Sequence, residues 1–431
     1  MDDATDLQTD DRSTVERVLR AAFKAGASDV HFKAGERVLL RIRGKLQPLN
    51  SPALKPDDTL RLLRSLLPAQ LGEENLEQIR DLDFSYAIGG VGRFRVNAFR
   101  QRSSVAIVVR VIPLDVPRLG DLNLPPVITQ LTGEQRGLIL VTGATGSGKS
   151  TTLAGMISEI NHTRTAHVVT IEDPIEFFFK NKRASIVQRE IGTDTHSFPG
   201  ALRAALRQDP DVIMIGEMRD TETIDIALKA AETGHLVLST AHTTDAAKTI
   251  QRMLSVFPTT ETAMVRMRLA ESLRAVISQR LLPRASGSGL VPAVEVMVAT
   301  RYVQDCIRQA EKTQLLNEYI AEGKNYGMQT FDQCLHRMLR EGIIAKGVAL
   351  SAATSPADLD LQIRMGADED EEIEVDHHMW DEAARQNDLK HQGELEQEAI
   401  DELPESLFDD DKPEVESGVD PHDLARDDVS S

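Results

Sequence analysis

A glycine-rich segment constrains this chain more than any other feature. Residues 143–150 read Gly-Ala-Thr-Gly-Ser-Gly-Lys-Ser, which matches the pattern G-x-x-x-x-G-K-[ST] without a gap. An apolar run, Leu138–Val141, precedes the segment, and a helix-compatible run from Ser150 to Ile160 follows it. This context predicts a strand, a phosphate-binding loop and a helix whose N-terminal N–H groups face an anion.

The residue types of this loop suit contact with a polyphosphate. Glycines allow backbone N–H groups to curl around phosphate oxygens, Lys149 can reach the β- and γ-phosphates, and the Ser150 hydroxyl can ligate Mg²⁺. We therefore expect the chain to bind ATP and Mg²⁺. The predicted nucleotide-binding residues are Gly143, Ala144, Thr145, Gly146, Ser147, Gly148, Lys149, Ser150 and Thr151.

Two carboxylate-bearing segments follow further apolar runs. Val212–Ile215 leads into Glu217, which the carboxyl end of a parallel strand would place in a ligand crevice, to hold Mg²⁺ or a water. Val168–Ile171 leads into Glu172 and Glu176. Hydrolysis requires a carboxylate that orients or deprotonates the attacking water, and on chemical grounds either of these two could serve.

Two histidines flank a third apolar run, Leu236–Leu238. His242 follows the carboxyl end of the predicted strand, so we expect it to face the same crevice and to sense the γ-phosphate. His235 precedes the strand, where a structural role is equally compatible with the pattern. Neither histidine has the spacing of a zinc pair.

The order of apolar runs predicts an α/β protein of two folded domains and a tail. Residues 1–116 read as a small α+β domain, because an amphipathic helix around Val15–Phe23 is followed by several short strands. Residues 117–350 alternate strands with helices, which is typical of a parallel sheet covered by helices. Helices are expected from Thr260 to Gln279 and from Tyr302 to Glu341.

Charge separates a tail from the rest of the chain. Residues 366–431 contain 25 Asp and Glu against 4 Lys and Arg, a net charge of −21, so the total of −19 leaves +2 for residues 1–365. Acidic sequence with few apolar residues predicts a disordered tail. The nearly neutral remainder has no basic stripe with interleaved aromatics, so we expect no nucleic-acid partner.

The chain has only two cysteines, which excludes a zinc site made of four cysteines. It also lacks a run of ~18 apolar residues, so we expect no membrane-spanning segment.

Four segments together resemble the PilT family of type IV pilus retraction ATPases, within the larger secretion-ATPase superfamily. The sequence GATGSGKST is similar to the Walker A motif of that family, TIEDPIEF to its Asp box, DPDVIMIGEMRD to its Walker B motif, and AETGHLVLSTAHTTDA to its His box. The resemblance extends over roughly residues 13–345. The Asp and His boxes make it specific, since other phosphate-loop proteins lack them.

The resemblance implies a PAS-like N-terminal domain, a RecA-like ATPase core with C-terminal helices, and a homohexamer driving pilus retraction (twitching motility). It implies that Glu176 is the catalytic glutamate, that Glu217 is the Walker B acid, and that His235 and His242 form the His-box pair. It also implies arginines that reach the phosphates from the N-terminal domain; here Arg93, Arg95 and Arg110 lie on matching strands. A cytoplasmic protein docked at the inner-membrane pilus base is expected, with the platform protein and a second pilus ATPase as partners.

One segment departs from the family. Retraction ATPases carry a stretch reading AIRNLIRE where residues 302–309 here read Tyr-Val-Gln-Asp-Cys-Ile-Arg-Gln. Because that stretch is tied to retraction, a regulatory paralogue that binds nucleotide and modulates another motor is an alternative. An extension or type II secretion ATPase is a further alternative, but those usually carry a four-Cys zinc insertion and additional N-terminal domains.

Overall fold

The computed structural model describes residues 3–42, 44–68, 80–112, 116–287 and 289–367. The chain divides into two compact units, and the boundary between them lies between residues 112 and 113. The predicted domain boundary after residue 116 stays a prediction. Of the predicted tail, residues 366–431, all but the first two residues lie outside the described ranges.

An antiparallel sheet and two helices build the described part of the first unit. In the described residues its six strands have the order β3-β2-β1-β6-β5-β4. The bounds are α1 (Asp3–Lys24), β1 (Ala27–Lys33), β2 (Leu39–Ile42), β3 (Lys45–Pro48), α2 (Pro56–Leu66), β4 (Asp81–Ile88), β5 (Gly92–Gln101) and β6 (Ser104–Ile112). Val18 and Leu19 of α1 are fully buried in one cluster with Leu63 and Phe94. The predicted amphipathic helix and α+β character are confirmed.

A mostly parallel sheet forms the centre of the second unit. Its strand order is β13-β12-β7-β11-β10-β8-β9, and only β13 runs antiparallel to its neighbour. The bounds are α3 (Val127–Leu131), β7 (Gly137–Thr142), α4 (Lys149–Thr163), β8 (His167–Glu172), β9 (Ser185–Glu190), α5 (Phe198–Ala205), β10 (Val212–Ile215), α6 (Thr221–Glu232), β11 (Leu236–Ala241), α7 (Ala246–Ser255), α8 (Thr262–Ser272), β12 (Leu273–Pro283) and β13 (Leu290–Val298). The predicted α/β class with a parallel sheet is confirmed.

The central strands are buried on both faces, which explains their continuous apolar sequence. In β7, Leu138 and Leu140 pack into one core cluster, whereas Ile139 and Val141 pack into the other. The first cluster lies under helices that include α5, α6 and α8, and the second under α3 and α4. Because successive side chains point to opposite faces, a strand between two helical layers must be apolar at every position.

Helices complete the second unit after the β12–β13 hairpin. They are α9 (Arg301–Arg308), α10 (Leu316–Glu322), α11 (Phe331–Arg340), α12 (Lys346–Ala352) and α13 (Pro356–Ala367), with short 3₁₀ segments at Ala310–Leu315 and Gly323–Tyr326. The helical prediction for 302–341 is confirmed in outline. The helical prediction for 260–279 is wrong after Ser272, because residues 273–279 belong to strand β12. A short buried run such as Ala-Val-Ile has no period that separates strand from helix.

Candidate active site

The phosphate loop connects β7 to α4, and its backbone geometry demands glycine. Gly143 has φ +146°, and a Cβ added there would lie 2.4 Å from Ser147 Oγ and 2.5 Å from the carbonyl oxygen of Gln279. Gly148, with φ +90°, precedes the first residue of α4. The turn is therefore tight enough to bring backbone N–H groups together at a helix N-terminus, where an anion is stabilised.

Lys149 lies inside this turn. Its side chain is buried, and Nζ donates to the carbonyl oxygens of Gly143 and Ala144, at 2.9 Å each. Burial lowers the pKa of the Lys149 ammonium, while Glu176 and Glu217 act in the opposite direction. The two carboxylates thus favour a charged lysine in a poorly solvated place, where its charge acts strongly on a phosphate.

The donors of the loop fit the phosphates of a nucleotide. The Ser147 hydroxyl is buried, and within the described ranges it has no hydrogen-bond partner. A buried hydroxyl without a partner costs free energy unless a ligand completes it. Together with the Lys149 ammonium and the N-terminus of α4, it forms a cradle of donors that suits an anionic ligand.

A cavity of about 450 Å³ opens above the loop, at the carboxyl ends of β8, β10 and β11. This volume lies in the range of small-molecule sites, ~300–1,000 Å³. The predicted residues that line it are Thr145, Gly146, Gly148, Lys149, Ser150, Thr151, Glu172, Glu176, Glu217 and His242. The topology therefore gathers residues from four separate segments of the sequence, because parallel strands end at the same edge of the sheet.

Glu217 is one of the residues that line this cavity. Its Oε2 is 2.7 Å from Arg219 Nε and 3.5 Å from His242 Nε2. Ser150 lines the same cavity, so one hydroxyl and one carboxylate are available for a hard cation. In the described part of the chain no three His, Cys, Asp or Glu side chains form a metal cluster. This donor set fits Mg²⁺, which is usually bound through one or two protein oxygens plus phosphates and waters.

The structure separates the two glutamates that the sequence left open. Glu172 is buried and accepts hydrogen bonds from Thr170 Oγ1 at 2.6 Å and Gln188 Nε2 at 3.1 Å. Burial raises its pKa, although these hydrogen bonds oppose the rise. Both glutamates line the cavity, but of the two only Glu176 is exposed. A carboxylate that must contact water and substrate needs that exposure, so the geometry favours Glu176 over Glu172 as the base.

His235 is not brought to the cavity of its own chain. It lies at the amino end of β11, where its Nδ1 is 2.9 Å from the carbonyl oxygen of Ala230. His242 follows the other end of the same strand. At about 3.3 Å per residue, seven residues separate the two histidines by roughly 20 Å. The family resemblance implied a pair, but the strand between the two histidines keeps them apart.

The three predicted arginines lie on the sheet of the first unit. Arg95 and Arg110 are paired partners of β5 and β6, with Arg93 further along β5. Arg110 Nε contacts Asp29 Oδ1 at 3.0 Å, and Arg95 Nε is 4.0 Å from Asp83 Oδ1. The Arg110 side chain is nevertheless 68% exposed. Its partner Asp29 is only 10% exposed, so the guanidinium of this pair faces solvent while the carboxylate lies within the unit.

Sequence reasoning missed two contributors to the site. Arg219 lines the cavity and contacts Glu217; its position two residues after Glu217 was the available signal. Gln279 was placed in a helix, whereas it lies in β12, where its carbonyl oxygen abuts Gly143 and its Nε2 donates to Thr152 Oγ1 at 2.7 Å. No local signal could have found it, because the contact spans more than a hundred residues.

None of the described helices combines the length and the apolar character needed to cross a bilayer.

Comparisons with known proteins agree with this geometry. The family model described as "Type II/IV secretion system protein" matches residues 8–332. The type IV pilus retractation ATPase PilT of Pseudomonas aeruginosa is 44% identical over 342 residues, which cover 79% of this chain and 98% of that protein. The type IV pilus ATPase PilU of the same organism is 39% identical over 355 residues, covering 82% and 92%.

A solved structure gives the same result for the fold. The crystal structure of the pilus retraction motor PilT with bound ADP matches with a TM-score of 0.74 at 44% identity, covering 80% of this chain and 98% of that one. The resemblance to PilT-like ATPases, inferred above from four motifs, is confirmed. The chain therefore belongs to the type II/IV secretion system protein family.

Proposed function

We propose that this chain is an ATP-hydrolysing motor that drives retraction of type IV pili, and hence twitching motility. The observation that carries the enzymatic part is one cavity containing the buried Lys149 ammonium, the exposed Glu176 carboxylate and the Glu217–His242 pair. The retraction part rests on the similarity to PilT over most of both chains.

Each group in the cavity has a role in phosphoryl transfer. The loop amides and Lys149 bind the β- and γ-phosphates and hold them in line for attack. Ser150 and Glu217 would hold Mg²⁺, which neutralises phosphate charge. Glu176 orients the attacking water and accepts its proton. His242, beside Glu217, is positioned to respond to the γ-phosphate through that carboxylate.

The proposal also includes the oligomeric state of the protein and its partners. We infer a homohexamer in which Arg93, Arg95 and Arg110 supply positive charge to the phosphates, as the family resemblance implies. Positive charge at the transferred group is worth about 10³–10⁵ in rate where such arginines have been removed. The inner-membrane platform protein of the pilus and a second pilus ATPase are the proposed partners, with the ring docked on the cytoplasmic side of the pilus base.

Two substitutions test the enzymatic part. Lys149→Ala should abolish nucleotide binding, because the loop loses its only ammonium, whereas Glu176→Gln should bind ATP normally and lose about 10²–10⁴-fold in kcat. Steady-state phosphate release and titration with a fluorescent ATP analogue measure the two effects. Glu318→Gln removes an exposed carboxylate on α10 and serves as the control. Normal turnover in both variants would show that the cavity is not the active site.

A second candidate function rests on the altered segment Tyr302–Gln309, which forms α9 and its C-cap. It is a nucleotide-binding regulatory role on another pilus motor. Weak turnover of the purified chain, with strong stimulation when a second motor is added, favours this alternative.

Deleting the gene and counting surface pili separates retraction from assembly. Abundant unretracted pili indicate a retraction motor, and cells without pili indicate an extension or secretion ATPase.

A further inference from the structure

Glu176 lies in a loop without regular secondary structure, between β8 and β9. An exposed side chain on such a loop has no helix or strand to fix it. Catalysis nevertheless requires the carboxylate to stay within a few tenths of an ångström of its productive position. Contacts that hold the backbone on either side of Glu176 are therefore part of the catalytic arrangement.

The neighbouring edge strand supplies those contacts. β9 runs parallel to β8, with Gln188 opposite Thr170 and Glu190 opposite Glu172. Residues two apart on a strand point to the same face. Gln188 and Glu190 thus project together toward the loop that carries Glu176, whereas the intervening Arg189 does not share that face.

Glu190 holds the residue before Glu176. Its side chain is 4% exposed, and Oε2 accepts the backbone N–H of Ile175 at 3.2 Å. A second donor, Thr193 Oγ1, lies 3.3 Å from Oε1. The carboxylate is buried and hydrogen-bonded on both oxygens, which ties the start of the loop to the sheet.

Gln188 holds the residues after Glu176. Its Nε2 donates to the carbonyl oxygen of Phe177 at 2.9 Å, and its Oε1 accepts the backbone N–H of Phe179 at 3.0 Å. Nε2 also donates to Glu172 Oε1 at 3.1 Å. A primary amide is suited to this task because it carries a donor and an acceptor on one planar group.

We propose that Gln188 and Glu190 are positioning residues for Glu176, clamping its backbone on both sides. This inference rests on the proposed ATPase function. It extends the active site to an edge strand outside the four motifs of the sequence. Neither residue contacts the phosphate loop in the hydrogen bonds of the described structure, so the clamp acts on the water-activating carboxylate and leaves nucleotide binding to Lys149.

The first test separates turnover from binding. Gln188→Ala removes both loop contacts and should lower kcat by about 10- to 100-fold with the KM for ATP changed less than about twofold. Val187→Ala is the matched control, since Val187 is the adjacent residue of β9 and is 40% exposed. Melting temperature and binding of a fluorescent ATP analogue are recorded for both variants. Wild-type kcat in Gln188→Ala, or a parallel loss of ATP affinity, would overturn the inference.

Conservative replacements provide the second test. Glu190→Gln retains an oxygen that accepts the Ile175 N–H, so it should keep most of the activity, whereas Glu190→Ala should not. Gln188→Glu keeps the acceptor for Phe179 but cannot donate to Phe177, and it adds a carboxylate beside Glu172; it should behave like Gln188→Ala. Equal activity of Glu190→Ala and wild type contradicts the clamp.

A double-mutant cycle provides the third test. If Gln188 acts through the Glu176 carboxylate, Gln188→Ala should have little further effect on kcat in a Glu176→Gln background, measured by single-turnover hydrolysis of labelled ATP. An undiminished effect in that background indicates a general structural role and overturns the inference. Absence of turnover in the wild-type protein would instead refute the proposed function, so the two failures are distinguishable.

Discussion

Glu295 on β13 is a buried carboxylate at the point where three elements meet. Its Oε1 accepts the backbone N–H of Ala246, the first residue of α7, at 2.8 Å. Burial raises its pKa to about 7; Asp245 adds to the rise, while Arg280 and the backbone N–H groups of Ala246 and Phe331 oppose it. The residue therefore titrates near neutral pH in the folded protein and near 4.5 when unfolded.

This difference predicts a pH-dependent stability. Between about pH 4.5 and 7 the folded state binds the extra proton, so stability falls as pH rises through this window. Glu295→Gln keeps an acceptor for Ala246 and cannot ionise. We expect it to raise the melting temperature at pH 8, with the gain shrinking toward zero at pH 5. Scanning fluorimetry across this range measures the gap, with Glu318→Gln as control. A gap independent of pH would contradict the prediction.

At the residue scale, motifs predicted what local chemistry dictates and missed what tertiary contacts decide. Lys149 and Gly143 could be predicted because the loop geometry is encoded in eight consecutive residues. The choice between Glu172 and Glu176 could not, because it depends on which side chain β9 covers. His235 is separated from the cavity by the length of β11. The motif includes both ends of this strand, but its sequence alone does not show that the residues between them are extended.

At the element scale, the central strands were predictable because burial on both faces requires an unbroken apolar sequence. Strand β12 was not, since its buried run follows helix α8 without a turn signal; α8 ends at Ser272 and β12 begins at Leu273. Only its pairing with β7 and β13 shows that the run is extended. Pairing over such sequence separations has no local signature.

The C-terminal helices dock on the β12–β13 hairpin through a small apolar cluster. Phe331 is fully buried in it, together with Leu335 and Val291. The guanidinium of Arg280 lies 3.8 Å from the centre of the Phe331 ring. Burial lowers the pKa of Arg280, while Glu295, Asp332 and Asp245 oppose this. One aromatic ring thus joins the apolar cluster to a partly buried charge.

Removing that ring should loosen the helices locally. Phe331→Ala is expected to cost about 3–5 kcal/mol in the free energy of opening, so amide hydrogen exchange within α11 should accelerate by at least roughly 100-fold. Leu361→Ala, at a side chain that is 57% exposed on α13, should change exchange in α11 little. Unchanged protection of α11 in Phe331→Ala would show that the cluster does not hold the helices.

At the scale of the whole molecule, the distribution of charge and the alternation of strands and helices predicted how the chain is divided, without knowledge of any contact. The separation of a −21 segment from a nearly neutral remainder follows from counting alone. The assembly did not follow from counting, because ring formation depends on surfaces that no periodic pattern marks. Arg93, Arg95 and Arg110 illustrate this, since alternation on a strand predicts only that they face outward.

Mixing inactive chains tests the proposed ring. Lys149→Ala and Arg95→Ala should each be inactive alone. If each site of the ring combines groups from two copies, mixing the two variants gives a fraction of cavities that have an intact phosphate loop from one copy and an intact arginine from the other. Phosphate release should therefore reappear on mixing, and should depend on total protein concentration. Mixtures that remain inactive would show that Arg95 does not act across copies.

Strand β12 connects the phosphate loop to the C-terminal helices through consecutive residues. Gln279 abuts Gly143 and donates to Thr152 in α4, and the next residue, Arg280, covers Phe331 and donates to the carbonyl oxygen of Ala352. A hydrogen-bonded strand inside a close-packed core hardly stretches or compresses. We therefore expect a displacement of the C-terminal helices at Arg280 to reach the phosphate loop at Gly143 through a single peptide group of β12.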